Sequence, residues 1–153
     1  MFRNILMTAA LLGAGLMIGR SSLQPMPVVK AQSTSACTMG SLMGSYGYNH
    51  TGFFYDSQGN FGVYGSVGRF AADGNGGLTA VDTINVDGTV VQGRKLTGVY
   101  TINPDCTGNL TFTSVSSGKV VGNWDLNLVN AGKEVNMVES DTDTIFSGVA
   151  KQQ

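Results

Sequence analysis

The residues best placed to do chemistry in this sequence are Arg69 and Asp82, which lie on either side of a turn signal at Asp73–Gly76. We expect that turn to pair Ala72 with Gly77. In this register Arg69 and Asp82 are diagonal neighbours on a face that is otherwise apolar and therefore predicted to be interior. A buried ion pair is costly unless it is matched and hydrogen-bonded. The functional hypothesis is a polar anchor at the base of a ligand pocket; the commoner arrangement, and the alternative, is a structural ion pair near a barrel end or a bulge that turns one of the two outward.

Aromatic residues are concentrated between Tyr46 and Tyr64. Tyr46, Tyr48 and His50 share one strand face, and aromatic rings with polar tips at the mouth of a pocket suit a small, flat or apolar ligand. The alternative use of such rings is packed core. The full set of candidate ligand-binding residues is Tyr46, Tyr48, His50, Tyr64, Arg69, Asp82, Tyr100 and Trp124.

Signals for catalysis or metal binding are weak. His50 is the only histidine, and it has no nearby Cys or acidic partner in the sequence. The sequence contains no nucleophile elbow, no P-loop and no paired Cys/His metal spacing. We therefore predict no catalytic residue, no metal and no cofactor.

The two cysteines, Cys37 and Cys106, predict a disulfide. An even pair in an exported protein is most simply a structural crosslink. Closing a loop of about 70 residues stabilises a protein by roughly 4 kcal/mol in the chain-entropy model. Metal ligation or a catalytic thiol is the alternative, but neither a His nor a second Cys lies nearby in the sequence.

The N-terminal segment has the pattern of a signal peptide. A basic start at Arg3 precedes an apolar run over residues 5–19, and small residues favour cleavage after Ala31. Fifteen helical residues span only about 22 Å, too short for a bilayer core of about 30 Å. We predict a signal-peptide helix in 1–31, a lead-in tied by the disulfide in 32–42, and one folded domain in 43–153. A lipid anchor on Cys37 is a minor alternative.

Composition narrows the functional class. The chain has 153 residues, a net charge of −1 and 22 glycines, and loss of residues 1–31 would leave six basic and ten acidic residues. A mature charge of −4 lacks the basic excess of a nucleic-acid-binding protein. We expect an exported protein, periplasmic or extracellular, with no nucleic-acid partner and no stable membrane span after cleavage.

From residue 41 onward the hydrophobic period is two, which indicates β-strands. The segment Trp124-Asp125-Leu126-Asn127-Leu128 is the clearest case. Short turns between strands exclude a parallel sheet, because parallel pairs need long crossovers. We predict an all-β, single antiparallel up-and-down barrel of about eight strands, with a β-sandwich as the alternative. The predicted strands are 43–52, 61–72, 77–86, 90–102 with a possible break at Gly93, 108–115, 119–129, 134–140 and 144–151.

Four sequence elements carry a resemblance to known proteins: GSYGY, ADGNGGLT, YTINPDCTG and the closing SGVAKQ. Over roughly residues 41–151 the chain resembles small exported bacterial proteins of uncharacterised function that are similar to calycin and allene-oxide-cyclase-like barrels. The resemblance implies a small antiparallel barrel with an apolar interior, and it brings no catalytic motif.

Three functions remain open. The first is a binding module for a small apolar or aromatic molecule, because an eight-stranded barrel is wide enough to enclose one such ligand. The second is a structural or interaction protein of the cell envelope, whose interior is filled by its own side chains. The third is a cyclase- or isomerase-like enzyme, in which an apolar cavity orients a reactive substrate. We lean towards a protein that is not an enzyme.

Overall fold

The computed structural model of this protein describes residues 36–153. The predicted signal peptide, 1–31, lies outside the described residues. Two short 3₁₀ helices span Met39–Ser41 and Asn130–Gly132. The eight strands are β1 Met43–Tyr55, β2 Phe61–Asp73, β3 Gly77–Val86, β4 Thr89–Ile102, β5 Thr107–Ser114, β6 Val120–Val129, β7 Glu134–Glu139 and β8 Thr144–Gln152.

The strands form a closed antiparallel barrel in the order β1 to β8. The barrel closes where β8 pairs with β1, with Tyr46 opposite Gln152 and Phe54 opposite Thr144. The predicted barrel is therefore confirmed, and the sandwich alternative is wrong because a sandwich would leave unpaired edges. The first strand is longer than predicted: it continues to Tyr55, which places Phe53 and Tyr55 on its outer face instead of in a loop.

Strict alternation of side chains divides the interior from the exterior. In β6, Trp124, Leu126 and Leu128 are buried while Asp125 and Asn127 are exposed. Successive side chains of a strand point to opposite faces, so the inward set of each strand forms the core. We call the end of the barrel where β1 begins the lower end, and the end where β1 finishes the upper end.

The lower end is closed by apolar side chains and a crosslink. Leu42, which follows the first 3₁₀ helix, is 1% exposed. The Tyr100 hydroxyl donates a hydrogen bond to the Leu42 carbonyl at 2.8 Å. Cys37 and Cys106 form the predicted disulfide. A sulfur in a disulfide cannot carry a lipid thioether, so the alternative of a lipid anchor on Cys37 is wrong.

The predicted register of β2 against β3 is wrong by one residue. Ala72 lies opposite Leu78, not Gly77, because β2 continues through Asp73. The Asp73 carboxylate accepts hydrogen bonds from the backbone N–H groups of Asn75 and Gly77 and so fixes a three-residue turn. A slip of one residue moves every side chain of a strand to the other face.

Candidate functional site

The register change decides which residues meet inside the barrel. Arg69 lies on the outer face and is exposed, whereas Asp82 faces inward and is 4% exposed. The expectation that Arg69 and Asp82 share the inner face is therefore wrong, and the two side chains do not pair. The residue directly opposite Asp82 is Arg94, on β4.

A β-bulge sets the position of Arg94. The pairing of β3 with β4 shifts between Asp82 and Ile84, and Gly93 adopts a positive φ of 63° at this point. An extra residue in one strand of a pair bends that strand and redirects its side chains. Gly93, where a break in the strand was predicted, is a bulge within a continuous β4, and the next residue, Arg94, points inward.

Asp82 is the acceptor at the centre of a buried polar network. The Arg94 Nε and Nη2 donate to the two Asp82 carboxylate oxygens at 3.0 and 2.7 Å. The Tyr48 hydroxyl donates to Asp82 Oδ2 at 3.1 Å. Arg94 Nη2 also lies 3.4 Å from the Tyr64 hydroxyl. Burial, and then the negative charge of Asp82, raise the pKa of Tyr48 far above its usual range, so this phenol stays protonated.

His50 is held as a neutral ring in the same layer. It stacks on Trp124 with ring centroids 4.1 Å apart, and its Nε2 lies 2.8 Å from the Met137 sulfur. Burial lowers the pKa of His50 to about 4. Gly148 makes room for the ring, because a Cβ at that position would overlap the His50 side chain. His50 is therefore a packed aromatic side chain and is uncharged near neutral pH.

These side chains fill the barrel. The cavity between Tyr48, Asp82, Arg94 and Trp124 has a volume of only about 10 Å³. That volume holds about one water molecule. The described interior has no chamber for an enclosed ligand, so the pocket expected around Tyr46, Tyr48 and His50 is occupied by the side chains themselves.

An open basin of about 410 Å³ lies at the upper end. Tyr64 and Phe146 stack with ring centroids 4.5 Å apart and both line it. Tyr64 also lines the small cavity beneath, so its ring separates the basin from the polar network. The other residues that line the basin are Phe54, Tyr55, Val86, Val120, Val121, Gly122, Glu139, Asp141 and Thr144.

Glu139 is the exceptional polar residue of this basin. It is the last residue of β7, it alternates with the buried Val135 and Met137, and it is 9% exposed. Its Oε2 atom is buried and has no hydrogen-bond partner. Burial, and then the charge of Asp141, raise the pKa of Glu139 to about 7. A Cβ on Gly122 would approach Glu139 Oε1 and Trp124 Nε1 to 2.7 Å, so glycine at this position leaves room for the carboxyl group.

The structure separates the predicted site residues into three groups. Tyr48, His50, Asp82 and Trp124 meet in the buried layer, and Tyr64 lies between that layer and the basin. Tyr46 and Tyr100 lie at the lower end, where the Tyr46 hydroxyl donates to the Gly132 carbonyl at 2.7 Å. The third group is Arg69 alone, on the outside.

Arg94 and Glu139 were missed by the sequence analysis, although a signal for both was present. Arg94 continues the alternation of Leu96, Gly98 and Tyr100, all of which face inward. Glu139 continues that of Val135 and Met137. Extending each alternating run by one step through a charged residue would have placed both side chains inside.

A larger concavity, about 550 Å³, lies on the outside of the barrel across β6, β7, β8 and β1. Its outward-facing residues are mainly small and neutral, among them Asn49, Thr51, Asn136 and Ser147. It contains neither the aromatic stack nor the buried charges, so the upper basin is the better candidate site. No group of three or more metal-ligating side chains comes together within residues 36–153.

Within the same described residues, no helix is long and apolar enough to cross a membrane.

Comparison with known proteins gives no family. No protein-family model matches the chain, and no curated protein matches its sequence. Two solved structures are similar to it. A redesigned β-barrel is 18% identical with a TM-score of 0.49, over 78% of this chain and 99% of that one. The redesigned β-barrel mFAP1, bound to DFHBI, is 19% identical with a TM-score of 0.46, over 75% of this chain and 98% of that one.

Proposed function

We propose that this protein is an exported barrel that binds a small apolar or aromatic molecule at its upper mouth. The observation that carries the proposal is the aromatic basin of about 410 Å³ above a filled interior. Its size falls within the range of small-molecule sites, and its lining combines stacked rings with few polar groups. The ligand lies on Tyr64 and Phe146 and does not enter the barrel.

Export is part of the proposal. The signal-peptide pattern of residues 1–31 supports it, and so does the Cys37–Cys106 disulfide, since disulfides persist in oxidising compartments. A relationship to calycin and allene-oxide-cyclase-like barrels is proposed on the motifs named above.

The test is a titration with benzyl alcohol, followed through the side-chain N–H resonance of Trp124. This is the only tryptophan in the chain and it lies beside the basin residue Glu139, so it gives one unambiguous signal. We expect a saturable shift in the wild-type protein. Val120→Phe, which puts a bulkier side chain in the lining of the basin, should weaken the binding, and Val99→Phe, on the exposed outer face of β4, should leave it unchanged. Equal binding by both variants would contradict a site at the mouth.

A filled interior also favours the second candidate function, an interaction protein of the cell envelope. An apolar patch on the outer face of the upper barrel supports it: the ring centroids of Phe53 and Phe61 are 5.3 Å apart, and that of Tyr55 is 5.9 Å from that of Phe61. Large exposed apolar patches commonly mark contact surfaces. If this function is correct, Phe53→Ser/Phe61→Ser should release the protein from the envelope fraction of its host, while the basin variant Val120→Phe should not.

A further inference from the structure

The upper basin holds a carboxyl group without a counter-ion. Glu139 lines the basin, is 9% exposed, and has one oxygen with no partner. The only cation in the layer beneath, Arg94, is already bound through two hydrogen bonds to Asp82. Leaving a buried polar atom unpaired costs on the order of 1–3 kcal/mol. A cation held in the basin would stabilise the ionised form of this enclosed carboxyl group through its charge.

The turns around the basin have the same sign of charge. The described upper turns contain one basic residue, Lys119. They contain four acidic residues, Asp56, Asp87, Asp141 and Asp143. Asp56, Asp87 and Asp141 accept backbone hydrogen bonds within their own surroundings, so each has a structural role as well as its charge. Charges of one sign around a concave site raise the local concentration of the opposite ion.

The aromatic lining suits the same kind of ligand. Tyr64, Phe146, Phe54 and Tyr55 bring four rings to the basin. A cation over the face of such a ring gains about 0.5–2 kcal/mol, and aromatic cages of this type are used to hold quaternary ammonium groups. An anionic ligand would be repelled by the carboxyl group and the acidic turns, and a neutral ligand would gain no charge–charge attraction from them.

We infer that the ligand of the basin is a small organic cation, an amine or quaternary ammonium group on an apolar or aromatic body, with Glu139 as its counter-ion. This inference rests on the proposed function and names its ligand class. The ammonium group lies in the basin over the Glu139 side chain, close enough to feel the charge of its enclosed carboxyl group, and the apolar body covers the stacked rings of Tyr64 and Phe146.

Ligand affinity then depends on the ionisation of Glu139. The other titratable groups that line the basin are Asp141, Tyr55 and Tyr64, and the charged pair below it is Asp82 with Arg94. The Asp141 carboxylate is hydrogen-bonded to Asn123 through both oxygens. The basin therefore gains negative charge as the pH rises through about 7, where Glu139 loses its proton.

The experiment compares three probes that share one ring: benzyltrimethylammonium, whose charge does not titrate, neutral benzyl alcohol and anionic benzoate. At pH 8.5 and constant ionic strength we expect the cation to bind about tenfold more tightly than the alcohol, and benzoate not to bind. At pH 5.5, where Glu139 is protonated, the advantage of the cation should fall to the smaller part that the acidic turns and the aromatic rings supply. Glu139→Gln should show this smaller preference for the cation at both pH values.

The matched control is Glu134→Gln, on the same strand at the opposite end, where Glu134 lies 3.6 Å from Lys151. This variant should keep the preference for the cation. If the wild-type protein binds cation and alcohol equally, the ligand class is wrong while the mouth site stands. If none of the probes shifts the Trp124 resonance, the proposed function fails as well.

Discussion

The two ends of this barrel satisfy their polar groups in different ways. At the lower end, the hydroxyls of Tyr46 and Tyr100 each donate to a backbone carbonyl, and a disulfide ties the lead-in to the turn before β5. At the upper end, a charged pair is buried against aromatic rings, and the Glu139 carboxyl has an unpartnered oxygen. The polar groups described at the lower end are neutral and hydrogen-bonded. Those at the upper end are carboxyl and guanidinium groups, whose burial carries a large desolvation penalty.

This difference separates residues that maintain the fold from residues available for function. A buried ion pair is often no more stabilising than apolar residues of the same shape. The network of Tyr48, Asp82 and Arg94 and the lone carboxyl of Glu139 therefore add little that the fold needs. The lower end needs each of its contacts, because the first strand and the lead-in are anchored there.

The largest expected effect is at the lower end. Cys37→Ala/Cys106→Ala should lower the free energy of unfolding by about 4 kcal/mol, because the crosslinked residues are 69 apart in the sequence and the unfolded chain regains that loop entropy. Urea denaturation measures the loss, and reduction of the wild-type protein should reproduce it. Affinity for benzyl alcohol under native conditions should not change. A loss below about 1 kcal/mol would mean that the lower end is held by packing alone.

The second effect concerns the buried network. Asp82→Leu leaves the Arg94 guanidinium and the Tyr48 hydroxyl without their acceptor, and should cost about 3 kcal/mol of unfolding free energy, since Arg94 is only 20% exposed. The triple variant Tyr48→Phe/Asp82→Leu/Arg94→Met should recover most of that loss. Arg69→Met, on the outside, should change stability by less than about 0.5 kcal/mol.

If the triple variant is as unstable as Asp82→Leu, the buried charges of the upper end cannot be replaced by apolar residues without loss of stability, and the comparison between the two ends is wrong. Chemical denaturation of the three variants at one pH and one salt concentration is sufficient to decide.

The third effect depends on pH. The pKa of Glu139 in the folded protein, about 7, lies above its ordinary value of 4.5, so the native state binds the proton more tightly than the unfolded chain does. Its stabilising contribution is complete below about pH 4.5 and is lost as the pH rises through 7. Glu139→Gln should match the wild type near pH 4.5 and exceed its unfolding free energy by about 2 kcal/mol at pH 8, after allowance for solvent at the mouth.

Glu134→Gln again provides the control, because the exposed pair of Glu134 and Lys151 should contribute less than about 1 kcal/mol at any pH. If the free energy of unfolding depends on pH in the same way for the wild type and for Glu139→Gln, the pKa of Glu139 is not raised by folding and the prediction is wrong.

The smallest effect has the opposite sign. The pKa of His50, about 4, lies below its ordinary 6.5, so the unfolded chain takes up the proton first. The contribution of His50 is present above pH 6.5 and is lost as the pH falls towards 4. Between pH 7.5 and pH 5.5, the free energy of unfolding of His50→Phe should therefore fall by about 1 kcal/mol less than that of the wild type. The comparison is of slopes, because the variant also lacks the contact with Met137.

The fold was predictable because it depends on patterns that the sequence states directly. Alternation in β6, the turn at Asp87-Gly88 and the two cysteines each indicate a local feature, and eight such features with short connections leave few topologies. Closure follows because an open meander would expose two edges.

The candidate site was less predictable from the sequence, because it depends on the register between strands and on how deeply each side chain is buried. The sequence predicted four residues in the turn between β2 and β3, and the structure has three; this difference places Arg69 outside and leaves Asp82 inside. The partner of Asp82 comes from a bulge at Gly93, and a glycine in a strand marks a bulge without saying which way its neighbour points. The raised pKa of Glu139 depends on burial by β6 and β8, which no local pattern records.

The seam between β1 and β8 has a consequence for how the chain folds. Tyr46 pairs with Gln152 and Phe54 with Thr144, so the barrel closes between segments about a hundred residues apart, and such non-local pairings form slowly. Until β8 arrives, β1 and β7 each have a row of unpaired backbone groups that can accept a strand from another molecule. Strand exchange between nascent copies is therefore the main hazard during assembly, and any factor that shields β1 until the last strand docks would raise the yield of monomer.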